Sequence, residues 1–275
     1  MSQFPDKKNA FVATPEHGCA WITGASSGIG HELALTLARS GWTVAVTARS
    51  EAALKAMETA VGEADGSSSG RIEAFPGDVS NAEAMKATAS AIESKCGPIA
   101  LLVANAGIYI SQDGLDSSPD DWKRTFDVNL GGTVNVLLPV IASMKAKGRG
   151  QIGVVASVAG YRGLPTSPAY GATKAGLINM AESLKFDLDR AGIRIQVINP
   201  GFVDTPATKT NPFSMPYLMT PQEAATAIIK GLTDPKAFEI AFPKPFVRQL
   251  KLLRLLPYRW YFKLVAKNTG WDKKT

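Results

Sequence analysis

Cysteine and histidine are nearly missing from this 275-residue chain, with two of each. Cys19 and Cys96 are too few for a disulfide framework, and neither stands at a metal-ligand spacing. Both read as small buried apolar residues. His17 and His31 have no acidic or metal-ligating company and read as ordinary surface residues, so no metal site is expected. No apolar run approaches the about 18 residues of a membrane-spanning helix. Met1 to Gly18 carries Asp6, Lys7, Lys8 and Glu16 and lacks a signal peptide's apolar core. These absences lead us to expect a reducing, cytoplasmic setting. Acid is scarce in one region: residues 243–275 hold nine Lys and Arg against Asp272 alone. The formal charge of +6 therefore belongs to a tail, and the rest of the chain is slightly acidic. No nucleic-acid-binding fold accompanies those cations, so nucleic acid is not an expected partner.

What is present is ordinary for one globular domain, with 45% hydrophobic and 20% charged residues. Short β-branched runs at 19–23, 43–48, 71–76, 100–104, 151–156, 193–199 and 238–242 read as strands. Helical patterns at 28–40, 51–63, 81–96, 119–147, 167–191 and 221–231 separate them. Such alternation, with continuously apolar strands, predicts an α/β fold. We expect a Rossmann-type, doubly wound, parallel seven-stranded sheet in a single domain with a helical C-terminal extension. The divisions are an N-terminal arm over 1–17, an oxidoreductase domain over 18–242 and a basic amphipathic extension over 243–275. Gly66–Gly70 reads as a surface turn. Residues 202–220, rich in Pro, Thr and Asn, read as a mobile connection of the lid type.

Three features carry chemistry. A glycine-rich turn, Thr23-Gly24-Ala25-Ser26-Ser27-Gly28-Ile29-Gly30, follows the first strand and opens the first helix. That is the context a dinucleotide's pyrophosphate requires: glycines for the turn and close approach, and a helix N-terminus with free N–H groups. Its spacing, G-x-x-x-G-x-G, differs from the commoner G-x-G-x-x-G. Arg49 follows the second strand, where the residue facing the adenosine ribose is expected, and Thr43 to Ser50 contains no acid. A guanidinium fork there, assisted by Ser50, suits a 2′-phosphate and favours NADP(H) over NAD(H). A solvated arginine at a strand end is the plainer alternative, and Glu51 stands close by. The third feature is Tyr170 and Lys174, four apart on one helix face, downstream of Ser157 at the end of an apolar strand. Alone, such a pair is usually a surface contact and such a serine a turn residue.

In this order and spacing, the residues resemble the classical short-chain dehydrogenase/reductase family over about 18–242. The resemblance rests on TGASSGIG at 23–30, Asp78-Val79, Asn105-Ala106-Gly107, Asn129, Ser157, Tyr170-x-x-x-Lys174 and Pro200-Gly201 with Thr205. It implies catalytic roles for Asn129, Ser157, Tyr170 and Lys174. It implies cofactor contacts from Gly24, Ser26, Ser27, Gly28, Ile29, Gly30, Arg49, Ser50, Asp78, Val79, Asn105, Ala106 and Gly107, then from Tyr170, Lys174, Pro200, Gly201, Val203 and Thr205. Asp78 would touch the adenine, Asn105 would steady the sheet edge, and the last four would hold the nicotinamide. Asn129 would bind a water that relays protons from Lys174. The resemblance also implies a homodimer or homotetramer through the helices at 119–147 and 167–191.

The residue types support that chemistry. Carbonyl reduction needs a hydride and a proton. A tyrosine near pKa 10 is a poor base, and a neighbouring lysine is expected to lower that value. Ser157 would hold the substrate oxygen against Tyr170. Ile108, Tyr109, Tyr161, Leu164, Pro165, Phe202, Phe213, Met215 and Tyr217 are the expected substrate neighbours, and their apolar character points to an apolar ketone, aldehyde or alcohol. In the tail, Arg248, Lys251 and Arg254 lie opposite Phe246, Leu250, Leu253 and Leu256. After Pro257, Arg259, Lys263 and Lys267 recur beside Tyr258, Trp260, Tyr261, Phe262, Leu264 and Val265. This fits peripheral contact with a membrane surface through 244–267. Packing on the same subunit or its neighbour, as a cover for the pocket, fits as well. The main expectation is an NADP(H)-dependent oxidoreductase. The rival is a membrane-associated NADP(H)-binding sensor without turnover.

Overall fold

The computed structural model of the chain describes residues 10–62, 70–209 and 215–273. Seven strands, β1 (Cys19–Thr23), β2 (Thr43–Thr47), β3 (Arg71–Ala74), β4 (Ile99–Ala104), β5 (Gly150–Val155), β6 (Ile193–Pro200) and β7 (Glu239–Phe242), form one sheet in the order β3-β2-β1-β4-β5-β6-β7. Every neighbouring pair is parallel. The helices between them are α1 (Gly28–Arg39), α2 (Glu51–Gly62), α3 (Ala82–Cys96), α4 (Pro119–Phe126), α5 (Gly132–Lys147), α6 (Pro168–Arg190) and α7 (Pro221–Thr233). Two more, α8 (Lys244–Arg254) and α9 (Tyr258–Thr269), follow the last strand. This is the expected doubly wound α/β fold.

Successive side chains of a strand point to opposite faces, and both faces here are covered. Ala20 and Ile22 of β1 join a core with Leu33 and Leu37 of α1, Leu54 of α2 and Ile228 of α7. Cys19 and Trp21 join a second core with Met85 of α3, Val140 of α5 and Leu177 of α6. Burial on both sides is why the strands read as unbroken apolar runs. The fully buried Trp21 still places its one polar atom, donating Nε1–H to Thr47 Oγ1 at 2.9 Å. Burial pushes the Cys19 thiol up to about 12, which leaves it an inert core residue, as expected.

Polar groups in the interior tie α7 to the sheet. Gln196 Nε2 donates to the carbonyl of Gly231 at 3.0 Å, Gln151 Nε2 to that of Leu232 at 2.8 Å, and Arg194 Nη1 to that of Leu232 at 3.1 Å. These donors satisfy carbonyls that a helix end otherwise leaves open. Gln151 Oε1 also accepts from Ala13 N at 2.8 Å, which seats the N-terminal arm. Helix α7 runs to Thr233, past the stop expected at Gly231. A Cβ at Gly231 would lie 2.5 Å from Ile240 Cγ2, so the glycine there makes room for β7.

The single helix expected over 119–147 is interrupted. Residues Asp127–Gly131 form a π-helical turn between α4 and α5. Its extra residue accommodates Asn129, whose side chain is wholly buried and bonded to the backbone of Ile108. The combined stretch Pro119–Lys147 is long and apolar enough by composition to cross a membrane. Its apolar side, with Val136, Leu137, Val140 and Met144, packs in the second core instead. Part of the Gly66–Gly70 turn lies outside the described residues.

Candidate active site

Strand order places a topological switch between β1 and β4. The chain leaves β1 for β2 and β3 on one side and returns to β1's other side as β4. Doubly wound sheets bind ligands in the crevice beyond such strand ends. Here the loops after β1 and β4 are locked together. Asn105 Nδ2 donates to the carbonyls of Thr23 (2.9 Å) and Gly24 (3.2 Å). Thr23 Oγ1 accepts from the amides of Asn105 and Ala106, both at 3.1 Å. Gly24 has φ 68° in the left-handed region, and a Cβ there would sit 2.7 Å from Ala106 Cα. At Gly30 a Cβ would lie 2.5 Å from both Asn105 Nδ2 and the Gly24 oxygen. The first helical amides of α1 thus stand at the crevice. Ser27, extended at the N-cap, gives them no side-chain capping bond. Open N–H groups, a helix dipole and an absence of side chains fit a pyrophosphate.

One cavity of about 950 Å³ runs from this turn to the C-terminal helices. Among expected site residues, Gly24, Ser27, Gly28, Ile29, Asn105, Gly107, Ser157, Tyr170, Lys174, Pro200, Gly201, Val203 and Thr205 line it. Ser26, Gly30, Ala106 and Asn129 do not; Gly30 and Ala106 pack behind the wall. Arg49 and Ser50 stand exposed beyond β2, where Ser50 Oγ accepts from Ala53 N at 3.3 Å. Asp78 Oδ1 accepts from the amide (2.9 Å) and hydroxyl (2.8 Å) of Ser80. Those bonds hold its carboxyl below the usual range despite partial burial, with the charges of Arg49 and Arg124 adding to them. Val79 is a buried core residue against Gly132. These four lie outside the cavity, in the segments that follow β2 and β3.

Ser157 lies just past the end of β5 and Tyr170 and Lys174 project from α6, so two sequence-distant segments build one cluster. Lys174 is buried and donates Nζ–H to the Val155 carbonyl at 2.9 Å. Its nitrogen lies 5.6 Å from the Tyr170 ring centroid. A Cβ at Gly107 would lie 3.3 Å from Asn129 Oδ1 and 3.4 Å from Lys174 Nζ, so both groups converge there. Asn129 Oδ1 accepts from Ile108 N (2.7 Å), and its Nδ2 donates to Ile108 O (2.9 Å) and Thr173 Oγ1 (3.2 Å). The side chain is thus committed to holding the loop after β4. Both Nδ2 hydrogens are spent there, so a relay water at this residue would meet the second lone pair of Oδ1 or the main chain.

The electrostatics correct one expectation. Burial raises the Tyr170 hydroxyl above its ordinary value, and the Ser157 hydroxyl draws it back only in part. Burial also lowers Lys174 to about 8. The lysine was expected to lower the tyrosine. In the free chain its ammonium is itself stripped of water and turned to Val155, and desolvation of the phenolate outweighs it.

The substrate end is apolar. Ile108, Tyr109, Leu164, Pro165 and Phe202 line the cavity as expected. Tyr109 packs edge-on to Tyr170 at 5.2 Å, held by a 3.2 Å hydrogen bond to Thr166 Oγ1. Thr166 has φ 60°, a strained conformation for a β-branched residue. Tyr161, Met215 and Tyr217 do not line the cavity; Pro216 does, and Phe213 lies outside the described residues. Tyr161 turns away because its hydroxyl donates to Glu239. The expected lid is pinned at both ends: Met219 N donates to Phe202 O at 3.0 Å and Asp204 N to Met219 O at 2.9 Å.

Sequence reasoning missed three residues. Gln112 Oε1 accepts from Ala169 N at 3.2 Å and so caps the helix carrying Tyr170, where Ser167 makes no capping bond. Arg162 Nη1 donates to the carbonyls of Leu253 (3.1 Å), Arg254 (3.2 Å) and Leu256 (2.7 Å). Its guanidinium lies 3.9 Å from the Tyr261 ring centroid. Tyr261 donates its O–H to the Gly163 carbonyl at 2.7 Å. Glu239 gathers Tyr161, Asn199 and Lys251. Arg162 and Glu239 fasten the tail to the loop after Ser157. Phe246, Leu250, Leu253 and Val265 consequently form the far wall of the cavity. Both histidines are only partly exposed: His17 bonds Thr14, and His31 Nδ1 is buried without a partner. Among the described residues no cluster of metal-ligating groups occurs.

The short chain dehydrogenase family model matches residues 18–213. An uncharacterized oxidoreductase of Myxococcus xanthus is 35% identical over 246 residues, covering 90% of this chain and 95% of that protein. The ketoacyl reductase HetN of a Nostoc species is 30% identical, covering 87% of this chain and 88% of its own length. Among solved structures, an alcohol dehydrogenase of the archaeon Thermococcus sibiricus, complexed with 5-hydroxy-NADP, superposes with a TM-score of 0.73. It is 27% identical, covering 82% of this chain and 95% of that one.

Proposed function

The chain belongs to the short-chain dehydrogenase family and is an oxidoreductase, and on that premise we propose that it interconverts an apolar ketone or aldehyde with the corresponding alcohol, using NADP(H). The observation that carries this reading is the convergence of Ser157, Tyr170 and Lys174 in one cavity with the glycine turn. The cofactor, when bound, supplies the hydride to a carbonyl or takes it from an alcohol. Gly24, Ser27, Gly28 and Ile29 would hold its phosphates, and Pro200, Gly201, Val203 and Thr205 its nicotinamide.

The chain's own residues do the rest. Tyr170, kept protonated near neutral pH by burial, is set to give its O–H proton to a carbonyl oxygen as charge develops there. Ser157 orients that oxygen and donates a second hydrogen bond. Lys174, charged below about 8, favours the phenolate once the proton has left and restores it from solvent. Asn129 keeps the Gly107–Ile108 loop against both. In the oxidative direction the same phenol must first lose its proton, which its raised value makes harder near neutral pH. Oxidation is therefore expected to gain more than reduction does as pH rises.

For the cofactor, Arg49 is exposed and could face a 2′-phosphate; of the acids near it, Glu51 is turned to Lys55 at 2.6 Å and Asp78, which feels the arginine's charge, accepts from Ser80. The related alcohol dehydrogenase, solved with an NADP analogue, supports the same choice. Exposed Phe126, Leu138 and Phe186 on α4, α5 and α6 mark the faces through which a dimer or tetramer would form. The test is loss of reduced-cofactor absorbance with apolar ketones and aldehydes. NADPH should serve well and NADH poorly, and Arg49→Ala should raise KM for NADPH about tenfold while leaving NADH unchanged. Tyr170→Phe should lower turnover by at least about a thousandfold with NADPH binding kept. Tight NADPH binding without turnover on any carbonyl would favour the sensor alternative.

A further inference from the structure

The last two helices have two unlike faces. Their inner side walls the cavity. On the outer side Leu252 is 67%, Leu255 80%, Trp260 56% and Phe262 62% exposed. More than half of the large exposed hydrophobic side chains among the described residues follow residue 243. Their neighbours are cations. Arg248 stands one turn before Leu252 in α8. In α9, Arg259, Lys263 and Lys267 recur every fourth residue and form one stripe, with Trp260 on one flank and Phe262 on the other. Among the described residues the tail's only ion pair is Lys251 with Glu239, on the inner side, and its only acid is Asp272.

That combination discriminates between occupants. A second copy meeting this face by two-fold symmetry would set the basic stripe near itself, since such a contact uses the same patch on both partners. An anionic bilayer surface complements the face everywhere: phosphates for the cations, and the headgroup boundary for tryptophan, phenylalanine and leucine. We propose that the outer face of α8–α9 docks on anionic phospholipid membrane. Leu252, Leu255, Trp260 and Phe262 enter the headgroup–acyl boundary, while Arg248, Arg259, Lys263 and Lys267 engage phosphate. Docking rests on this face alone. One consequence rests on the oxidoreductase reading above: a lipid-borne carbonyl would lie one helix's width from the cavity's apolar wall.

The test is co-sedimentation of the full chain with phosphatidylcholine vesicles containing phosphatidylglycerol, against pure phosphatidylcholine. Binding to the anionic vesicles should fall steeply with added salt. Replacing Arg259, Lys263 and Lys267 with Gln should weaken it about a hundredfold, about fivefold per cation. Trp260→Ala with Phe262→Ala should abolish it, while circular dichroism and thermal melting confirm the fold. A chain that stays in the supernatant with anionic vesicles, or that binds both vesicle types equally, overturns the proposal. So does a dimer that Trp260→Ala with Phe262→Ala dissociates while vesicles are ignored. NADPH oxidation without vesicles is measured separately, so failure of docking and failure of the oxidoreductase reading remain distinct.

Discussion

The two ends of the cavity are built in opposite ways. At the glycine turn, the wall is backbone. Thr23, Gly24, Gly30, Asn105 and Ala106 interlock through main-chain groups, the Asn105 amide and the Thr23 hydroxyl, with no space for a Cβ at Gly24 or Gly30. At the far end the wall is made of side chains from α8 and α9, held by Arg162, Tyr261 and Glu239 across separations of 78 residues or more for the Tyr161 and Arg162 bonds. A backbone wall serves a ligand of fixed shape, such as a dinucleotide phosphate. A side-chain wall on a separate pair of helices can vary in shape while the chemistry beside it stays constant.

The sharpest way to break this contrast is Gly30→Val. Its Cβ alone would lie 2.5 Å from the Asn105 amide nitrogen and the Gly24 carbonyl oxygen, and both belong to the clamp that shapes the glycine turn. NADPH affinity should fall by more than about a hundredfold, and stability by about 2–4 kcal/mol, as overpacking and a lost buried hydrogen bond add. Fluorescence titration and a denaturant melt measure the two. An unimpaired titration would show that the wall yields and that rigidity is not what defines this end.

This contrast also explains what the sequence disclosed. The placement of the glycine turn, Asn105, Ser157, Tyr170 and Lys174 along one cavity was legible because each position depends on local identity: a left-handed turn, a helix start, a pair one helical turn apart. The seven strands were legible because burial on both faces leaves unbroken apolar runs. The π turn around Asn129 was not, since its cause is a hydrogen bond to Ile108 from 21 residues away. Arg162 was invisible for the same reason. An arginine between Tyr161 and Gly163 carries no local mark of the three carbonyls it will meet. The titration of Tyr170 was misjudged because a neighbouring charge can be read from spacing, while the depth of burial that overrides it cannot.

Lys174 stands between the two ends and tests whether burial governs the chemistry. Its folded value of about 8 lies below the 10.5 of an unfolded lysine. Below pH 8 both states are charged, and the folded state carries the full cost of desolvation. Between 8 and 10.5 the unfolded chain holds a proton that the folded chain has released, so stability rises with pH through that window. Wild type should therefore gain up to about 3 kcal/mol relative to Lys174→Met as pH climbs from 7 to 10.5. Urea melts of the cofactor-free proteins across that range give the difference. A constant offset would mean that the ammonium is solvated, and that the burial argument for Tyr170 fails with it.

The smallest expected effect belongs to the tail. Arg162→Ala removes the donor for three carbonyls at the end of α8 and the cation resting on Tyr258 and Tyr261, at 4.6 and 3.9 Å from their ring centroids. Part of that cost is recovered because those carbonyls lie near the surface and take up water. A loss of about 1–2 kcal/mol in stability is expected. The kinetic consequence should fall on one end only: KM for an apolar carbonyl up about tenfold, as its far wall loosens, with NADPH affinity unchanged. Arg162→Lys should recover little of this, because an ammonium keeps the charge but not the planar fork that reaches several carbonyls while stacking on two rings. If Arg162→Ala weakens NADPH as much as the carbonyl substrate, the two ends are one mechanical unit. The division between a backbone-built and a side-chain-built wall would then be a matter of appearance only.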